Sequence, residues 1–267
     1  MELELSGRIA VVTGASKGIG LAIVQTLVEE GVRVVAASRT RTPALAELGD
    51  DVLHVEVDLM DPEAPAKVVA RAAETFGGLD ILVNNAGGPP PGDTLPHAGF
   101  LSRTDADWEA ILDFNLMSTV RASRAALPLL MEREGAAIIN VSSAHGKQPA
   151  PINVDYSAAK AAMTNLTKAL SMEFGPHGVR VNVVSPGATL TPWWTDEGGA
   201  ADVIAASAGA DRDGVVATLV PEMMQLTTGR LVQPQEIADA VVWLASPRSG
   251  SASGTEVVVD GGFLKVI

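Results

Sequence analysis

IAVVTGASKGIG, residues 9–20, joins a short apolar run to a glycine-rich turn, and the turn opens onto a helical pattern. A strand that feeds through such a turn into a helix is the first half of a β-α-β crossover, the unit of a parallel sheet. The glycines stand at 14, 18 and 20, a G-x3-G-x-G spacing that differs from the dinucleotide fingerprint G-x-G-x-x-G. The Gly-Lys-Ser/Thr of a P-loop is missing as well. The physical logic is shared all the same: glycines admit the backbone of a pyrophosphate, and the helix that follows offers amides and a positive dipole end. Taken alone, the turn is either such a cradle or a tight strand-to-helix connection.

The same alternation continues along the chain. Strand patterns fall at 8–13, 32–38, 52–57, 80–84, 136–142, 180–185 and 256–260, with helical patterns at about 19–30, 62–76, 105–133, 153–174 and 234–245. This predicts an α/β fold, a doubly wound, seven-stranded parallel sheet with helices on both faces. Residues 1–267 are expected to form one domain. Two segments break the rhythm. Residues 87–104 carry GGPPPGD, and 187–233 run for 47 residues with at most short helices at 202–206 and 214–224. A long excursion in a compact domain is expected to be a substrate lid.

Composition narrows the partners. Hydrophobic residues make up 47% and charged residues 19%, a globular balance. Acidic residues outnumber basic ones 32 to 19, so the net charge of −13 repels nucleic acid and anionic lipid. The absence of cysteine excludes thiolate ligands and disulfides. The opening MELELSGR lacks the layout of a signal peptide, and no apolar run reaches the ~18 residues of a membrane span. A cytoplasmic protein is expected. No H-x-x-x-H, H-E-x-x-H or calcium-loop spacing occurs, so no metal is expected, and no G-x-S-x-G elbow supports a hydrolase.

The unusual residues gather after the first six strands: Gly14, Ser38-Arg39, Asp58, Asn84-Asn85-Ala86-Gly87, Ser142-Ser143 and Pro186-Gly187. Open parallel sheets bind ligands at those carboxyl ends. After the second strand, Ser38 and Arg39 stand in a stretch, 32–46, that has no carboxylate. An acidic residue there would accept from ribose hydroxyls, whereas arginine favours a 2′-phosphate, so Lys17, Ser38 and Arg39 point to NADP(H). Arg39 and Arg41 are otherwise solvated charges. Asp58 either accepts from an adenine amino group or caps the next helix, and Asn84 and Asn85 either pass close to the ribose or tie strands together.

Tyr156 is the only tyrosine, and Lys160 follows one helical turn later in YSAAK. An ammonium beside the phenol lowers its pKa from the ordinary ~10 and makes it a general acid for a carbonyl becoming an alcohol. The bland alternative is a half-buried tyrosine beside a surface lysine. Ser143 or Ser142 would hydrogen-bond the substrate oxygen, or satisfy turn amides. Asn115 lies on the inward stripe of Trp108, Ile111, Leu112 and Thr119 and needs polar partners: backbone, another polar side chain, or a water linking Lys160 to solvent.

TGASKGIG, NNAG, the Asn115 helix, Ser143, YSAAK, NVVSPG and the terminal VDGG, in that order, resemble the short-chain dehydrogenase/reductase family over nearly the whole chain. The resemblance implies a Rossmann-like sheet, NADP chemistry and a catalytic set of Asn115, Ser143, Tyr156 and Lys160. It selects Ser143, thirteen residues before the tyrosine, over Ser142. It implies that Lys160 and Tyr156 face the nicotinamide ribose, that Thr191 contacts the carboxamide, and that 184–187, with Pro186, Gly187 and Thr189, pass beside the ring. Gly14, Ser16, Lys17, Gly18, Ile19, Gly20, Ser38, Arg39, Asp58, Leu59, Asn85, Ala86 and Gly87 complete the implied cofactor set. A homotetramer or homodimer is implied too.

The implied activity interconverts a carbonyl and a secondary alcohol, with 3-oxoacyl thioester reduction or a non-catalytic NADP sensor as alternatives. Trp193, Trp194, Met223 and Met224 suggest a partly apolar small-molecule substrate, or they pack the lid. Arg212 and Arg230 face six acidic residues within 187–233, which offers no clamp for an anionic substrate. Carrier-protein docking would need Arg121, Arg124 and Arg133 near the cleft. His145 and His97 either line the pocket or sit on surface loops.

Overall fold

The computed structural model describes residues 2–92 and 99–265. Its seven strands are β1 (Ile9–Thr13), β2 (Arg33–Ser38), β3 (Val52–Glu56), β4 (Ile81–Asn84), β5 (Ala137–Val141), β6 (Arg180–Pro186) and β7 (Glu256–Val259). They pair in parallel in the order β3-β2-β1-β4-β5-β6-β7, the Rossmann-like arrangement expected. The order reverses between β1 and β4, so the connections leave these two strands in opposite directions and open a crevice at their carboxyl ends.

The period of two in each strand feeds two cores. Ala10 and Val12 of β1 face one layer, built with α1 (Gly18–Glu29), while Ile9 and Val11 face the other. The second layer holds α3 (Ala64–Phe76), which packs its Val68, Val69 and Ala72 there. Each fully buried Val, Leu or Ile side chain contributes about 1.5–3 kcal/mol, and strands buried on both faces explain why these segments read as unbroken apolar runs. A short helix, α2 (Pro43–Ala46), was not legible as periodicity, although Thr42 caps it and proline opens it.

The expected helix at 105–133 is two helices joined by a wider turn. α4 (Asp105–Leu112) passes through a π-helical turn (Asp113–Met117) into α5 (Ser118–Leu130). The wider turn rotates the stripe: Ile111, Asn115, Ser118 and Thr119 are buried, whereas Trp108 and Leu112 are half-buried. The longest helix, α6 (Val154–Phe174), sends Leu170 and Phe174 to the α3 side of the sheet.

Between β6 and β7 the chain forms α7 (Pro192–Thr195), α8 (Ala200–Ala208), α9 (Arg212–Gly214), a π turn (Val215–Leu219), α10 (Val220–Met223) and finally α11 (Pro234–Ala245) on the α1 side. The excursion has its own small core around Trp194, Ala201, Val215 and Leu231. Its two ends meet through a bridge of Thr189 with Val232. Arg180, buried at the start of β6, donates to the carbonyls of Leu244, Ala245 and Ser246 at 2.7–3.2 Å and so caps α11. No helix of the described residues is long and apolar enough to cross a membrane.

Candidate active site

A crevice of about 770 Å³ opens where β1 and β4 diverge. Gly14, Ser16, Lys17, Gly18, Ile19 and Gly20 form its floor. Gly14 has φ +66°, and a Cβ there would lie 2.9 Å from Ala86 Cα, so no other residue fits without moving the β4 loop. Lys17, the N-cap of α1, supplies no side-chain cap, which leaves the first-turn amides for an anion. A pyrophosphate therefore fits this floor. Lys17 itself reaches Asp196 across the crevice at 3.4 Å, with both side chains exposed.

Ser38, Arg39, Asp58 and Leu59 line one end. Arg39 is exposed, whereas Ser38 is buried, its hydroxyl donating to Thr40 O and bonding His54 Nε2, each at 2.9 Å. Burial first, then the charge of Arg41, hold His54 below the ordinary histidine pKa. Asp58 accepts from the Met60 amide at 3.0 Å through one carboxylate oxygen, a turn rather than a helix cap. Asn85 and Ala86 line the middle, and Asn85 Nδ2 donates to Thr13 O and Gly14 O at 2.9 and 3.2 Å. Asn84 bonds Asn140 at 2.8 Å between β4 and β5. The asparagine pair thus ties strands together and shapes the wall.

The catalytic candidates lie behind Gly87 of the crevice wall. Ser143 is buried just past β5, its Oγ accepts the His145 amide at 3.2 Å, and it hydrogen-bonds the Tyr156 phenol. Ser142 is spent structurally: it donates to Lys160 O and accepts from Thr164. Lys160 is 2% exposed, donates to Val141 O at 2.9 Å, and stands 5.7 Å from the Tyr156 ring centroid. The electrostatics differ from the simplest expectation. Burial pushes the phenol up, with Ser143 countering in part, and pushes Lys160 down to about 7, so the lysine does not act as a full charge beside the phenol.

Asn115 closes the set from behind. Its side chain accepts from Gly88 N at 2.8 Å and donates to Gly88 O at 2.9 Å and Ile111 O at 3.1 Å. Of the partners expected for it, backbone is what it finds. Gly87 lies in between: a Cβ there would be 2.8 Å from Lys160 Nζ and 3.0 Å from Asn115 Oδ1. Asn115, Gly87 and Lys160 are therefore packed against one another.

The family model "short chain dehydrogenase" matches residues 8–201. The chain belongs to the short-chain dehydrogenase family. It is 35% identical over 268 residues to the 3-oxoacyl-[acyl-carrier-protein] reductase of Vibrio cholerae, covering 99% of this chain and 100% of that one. It is 36% identical over 282 residues, 98% of each, to an uncharacterized NAD-dependent oxidoreductase of Mycobacterium tuberculosis. The structure of L-sorbose reductase from Gluconobacter frateurii complexed with NADPH and L-sorbose superposes with a TM-score of 0.90, at 33% identity and full coverage of both chains. This short-chain dehydrogenase is thus an oxidoreductase of a family that uses a nicotinamide cofactor on carbonyl and alcohol groups.

Other expected residues fall unevenly in this family member. Thr191 borders the crevice, where a Cβ on Gly18 would lie 3.2 Å from it. Thr189 does not follow: it is buried, and its hydroxyl donates to Gly187 O. Pro186 ends β6, and Gly187 packs on Asp260, whose Cα would be 2.6 Å from an added Cβ. Trp193 lines the crevice and Met223 is exposed, whereas Trp194 is buried and Met224 packs beside it. Arg230 pairs with Glu236, and Arg212 with Asp202. His145 is half-buried, held below its ordinary pKa by burial, and edges Phe263 at 5.4 Å. His97 lies outside the described residues.

Sequence reasoning missed Thr13, whose hydroxyl receives the amides of Asn85 and Ala86 at 3.0 and 3.1 Å. Its place at the end of β1 was the available signal. It also missed Pro89, Phe114 and Asp196 on the crevice wall and the Arg103–Asp155 pair beside Tyr156, where no spacing rule points. A second concavity, about 680 Å³ between Arg8, Arg33, Asp80 and Arg133, holds none of the catalytic candidates.

Proposed function

We propose that the chain is an NADP(H)-dependent oxidoreductase that interconverts a ketone and a secondary alcohol, with Tyr156 as general acid and base. The observation that carries this reading is the meeting of Ser143, Tyr156 and the buried Lys160, with Lys160 packed behind Gly87 in the wall of a crevice whose floor suits a pyrophosphate. When bound, the nicotinamide supplies or accepts the hydride. In reduction, Tyr156 gives its phenolic proton to the developing alkoxide, and Ser143 donates a hydrogen bond to the same oxygen. Lys160, when protonated, stabilises the phenolate left behind. Asn115 holds Gly88 and keeps the wall beside Lys160 in place.

Lys17, Ser38 and Arg39 support the 2′-phosphorylated cofactor, and the NADPH-bound L-sorbose reductase supports it further. The Lys17–Asp196 contact is exposed, so a phosphate can replace Asp196 at small cost. Residues 187–233 act as the lid in this reading, and Trp193 and Met223 favour a partly apolar ketone. Carrier-protein docking loses support: Arg121 pairs with Asp113 at 2.6 Å, and Arg133 binds Gly77 O beside the concavity that lacks the catalytic candidates. The absence of cysteine fits a cytoplasmic location, and a homodimer or homotetramer is the assembly that the family resemblance implies.

The test is NADPH against NADH consumption with L-sorbose, acetoacetyl-coenzyme A and a 3-ketosteroid, together with both dissociation constants for Arg39→Asp. The expected result is NADPH-selective turnover of at least one ketone, and an NADPH affinity that falls at least ~10-fold while NADH binding changes ~2-fold or less. Equal loss for both cofactors would remove Arg39 from the 2′-phosphate.

A further inference from the structure

Tyr156 sits in the first turn of the 21-residue α6, and that turn is held from outside the helix. Terminal turns fray because their amides lack intrahelical partners, whereas proton transfer needs the phenol within a fraction of an ångström of its productive place. The chain enters α6 through Asn153 at φ +55°, a left-handed conformation that depends on its surroundings for support. Asp155 then accepts the Tyr156 amide through Oδ1 at 2.8 Å.

Asp155 is 1% exposed, and a buried carboxylate is tolerable only when paired. Its partner is Arg103, whose Nε and one terminal nitrogen each reach Oδ2 at 2.9 Å. Arg103 immediately precedes Thr104, the N-cap of α4, and stands 3.8 Å from Asp107 in the capping box. The helical run that starts there carries Asn115 in the middle of its π turn, where it grips Gly88. One unit, from Arg103 to Asn115, thus holds the Tyr156 turn at one end and the wall beside Lys160 at the other.

We propose that Arg103 and Asp155 are a positioning couple for the catalytic tyrosine: Asp155 fixes the amide from which the phenol projects, and Arg103 fixes Asp155. The inference rests on Tyr156 being the acid, but one readout does not. Tyr156 is the only tyrosine, so near-ultraviolet titration of the protein reads its phenol alone, with or without a known substrate.

The experiment compares wild type, Asp155→Ala, Asp155→Asn and the double variant Asp155→Asn with Arg103→Met, which keeps an acceptor for the amide and removes both charges should Asp155→Ala fold poorly. Burial raises the wild-type phenol above its ordinary 10.0, so a loosened turn lets it titrate closer to 10.0. The expected result for Asp155→Ala is that downward move, kcat reduced about 10- to 100-fold on the best ketone, and NADPH affinity within about 2-fold. Asp155→Asn recovers most of both readouts, and the double variant, whose acceptor Arg103 no longer holds, loses them again. In a Tyr156→Phe background, Asp155→Ala adds almost nothing. An unmoved titration with unchanged kcat would overturn the couple, as would parallel loss of kcat, NADPH affinity and melting temperature. If no ketone is reduced, the functional reading fails and the titration still decides the couple.

Discussion

Lys160 shows how costly a single buried charge is. It is almost fully buried, and burial lowers its pKa from 10.5 to about 7. Below pH 7 the native and unfolded chains both carry its proton, and the native state bears the full cost of a buried ammonium. Between 7 and 10.5 the unfolded chain holds the extra proton, so this contribution to stability rises with pH, on the order of 4–5 kcal/mol in all. Urea unfolding of Lys160→Met should therefore show a variant more stable than wild type near pH 7, with the gap closing toward pH 10.5. A gap that does not change with pH would mean that Lys160 is not titrating as a buried amine.

At the scale of elements, the segment 187–233 was legible as an exception but not as a structure. Its helices are short and their apolar residues serve a private core, so neither period runs long enough to read. Arg212 fastens it, donating to Asp202 Oδ1 at 2.7 Å and to the Thr195 and Asp196 carbonyls at 2.8 and 3.3 Å. Arg212→Ala should make this segment the first site of limited proteolysis and raise KM for the ketone by about 3- to 10-fold, with kcat within about 2-fold. Proteolysis beginning in the sheet would contradict a local fastening. The strands were far more legible, each found within two residues of its expected ends, because burial on both faces of β1, β2, β4, β5 and β6 writes an apolar run into the sequence, and the edge strands β3 and β7 keep β-branched valines. Within the site, Tyr156, Lys160 and the glycine turn could be read from spacing. Arg103 could not, because its partner lies 52 residues away.

For the whole molecule, a net charge of −13 means that the long-range field does not favour an anionic cofactor. The positive groups that could hold it are local: the uncapped helix end, Lys17 and Arg39 line the crevice. The sheet order puts those groups and the Ser143–Tyr156–Lys160 cluster at the carboxyl side of one sheet, where Gly87 of the crevice wall packs against Lys160. Removing only the phenolic oxygen should then cost proton transfer far more than the hold on the phosphates. The most direct measurement is therefore NADPH-coupled ketone reduction and NADPH affinity, side by side, for wild type and Tyr156→Phe. Turnover is expected to fall by about 10²- to 10⁴-fold with affinity nearly unchanged, and a variant that reduces the ketone as fast as wild type would contradict Tyr156 as the acid.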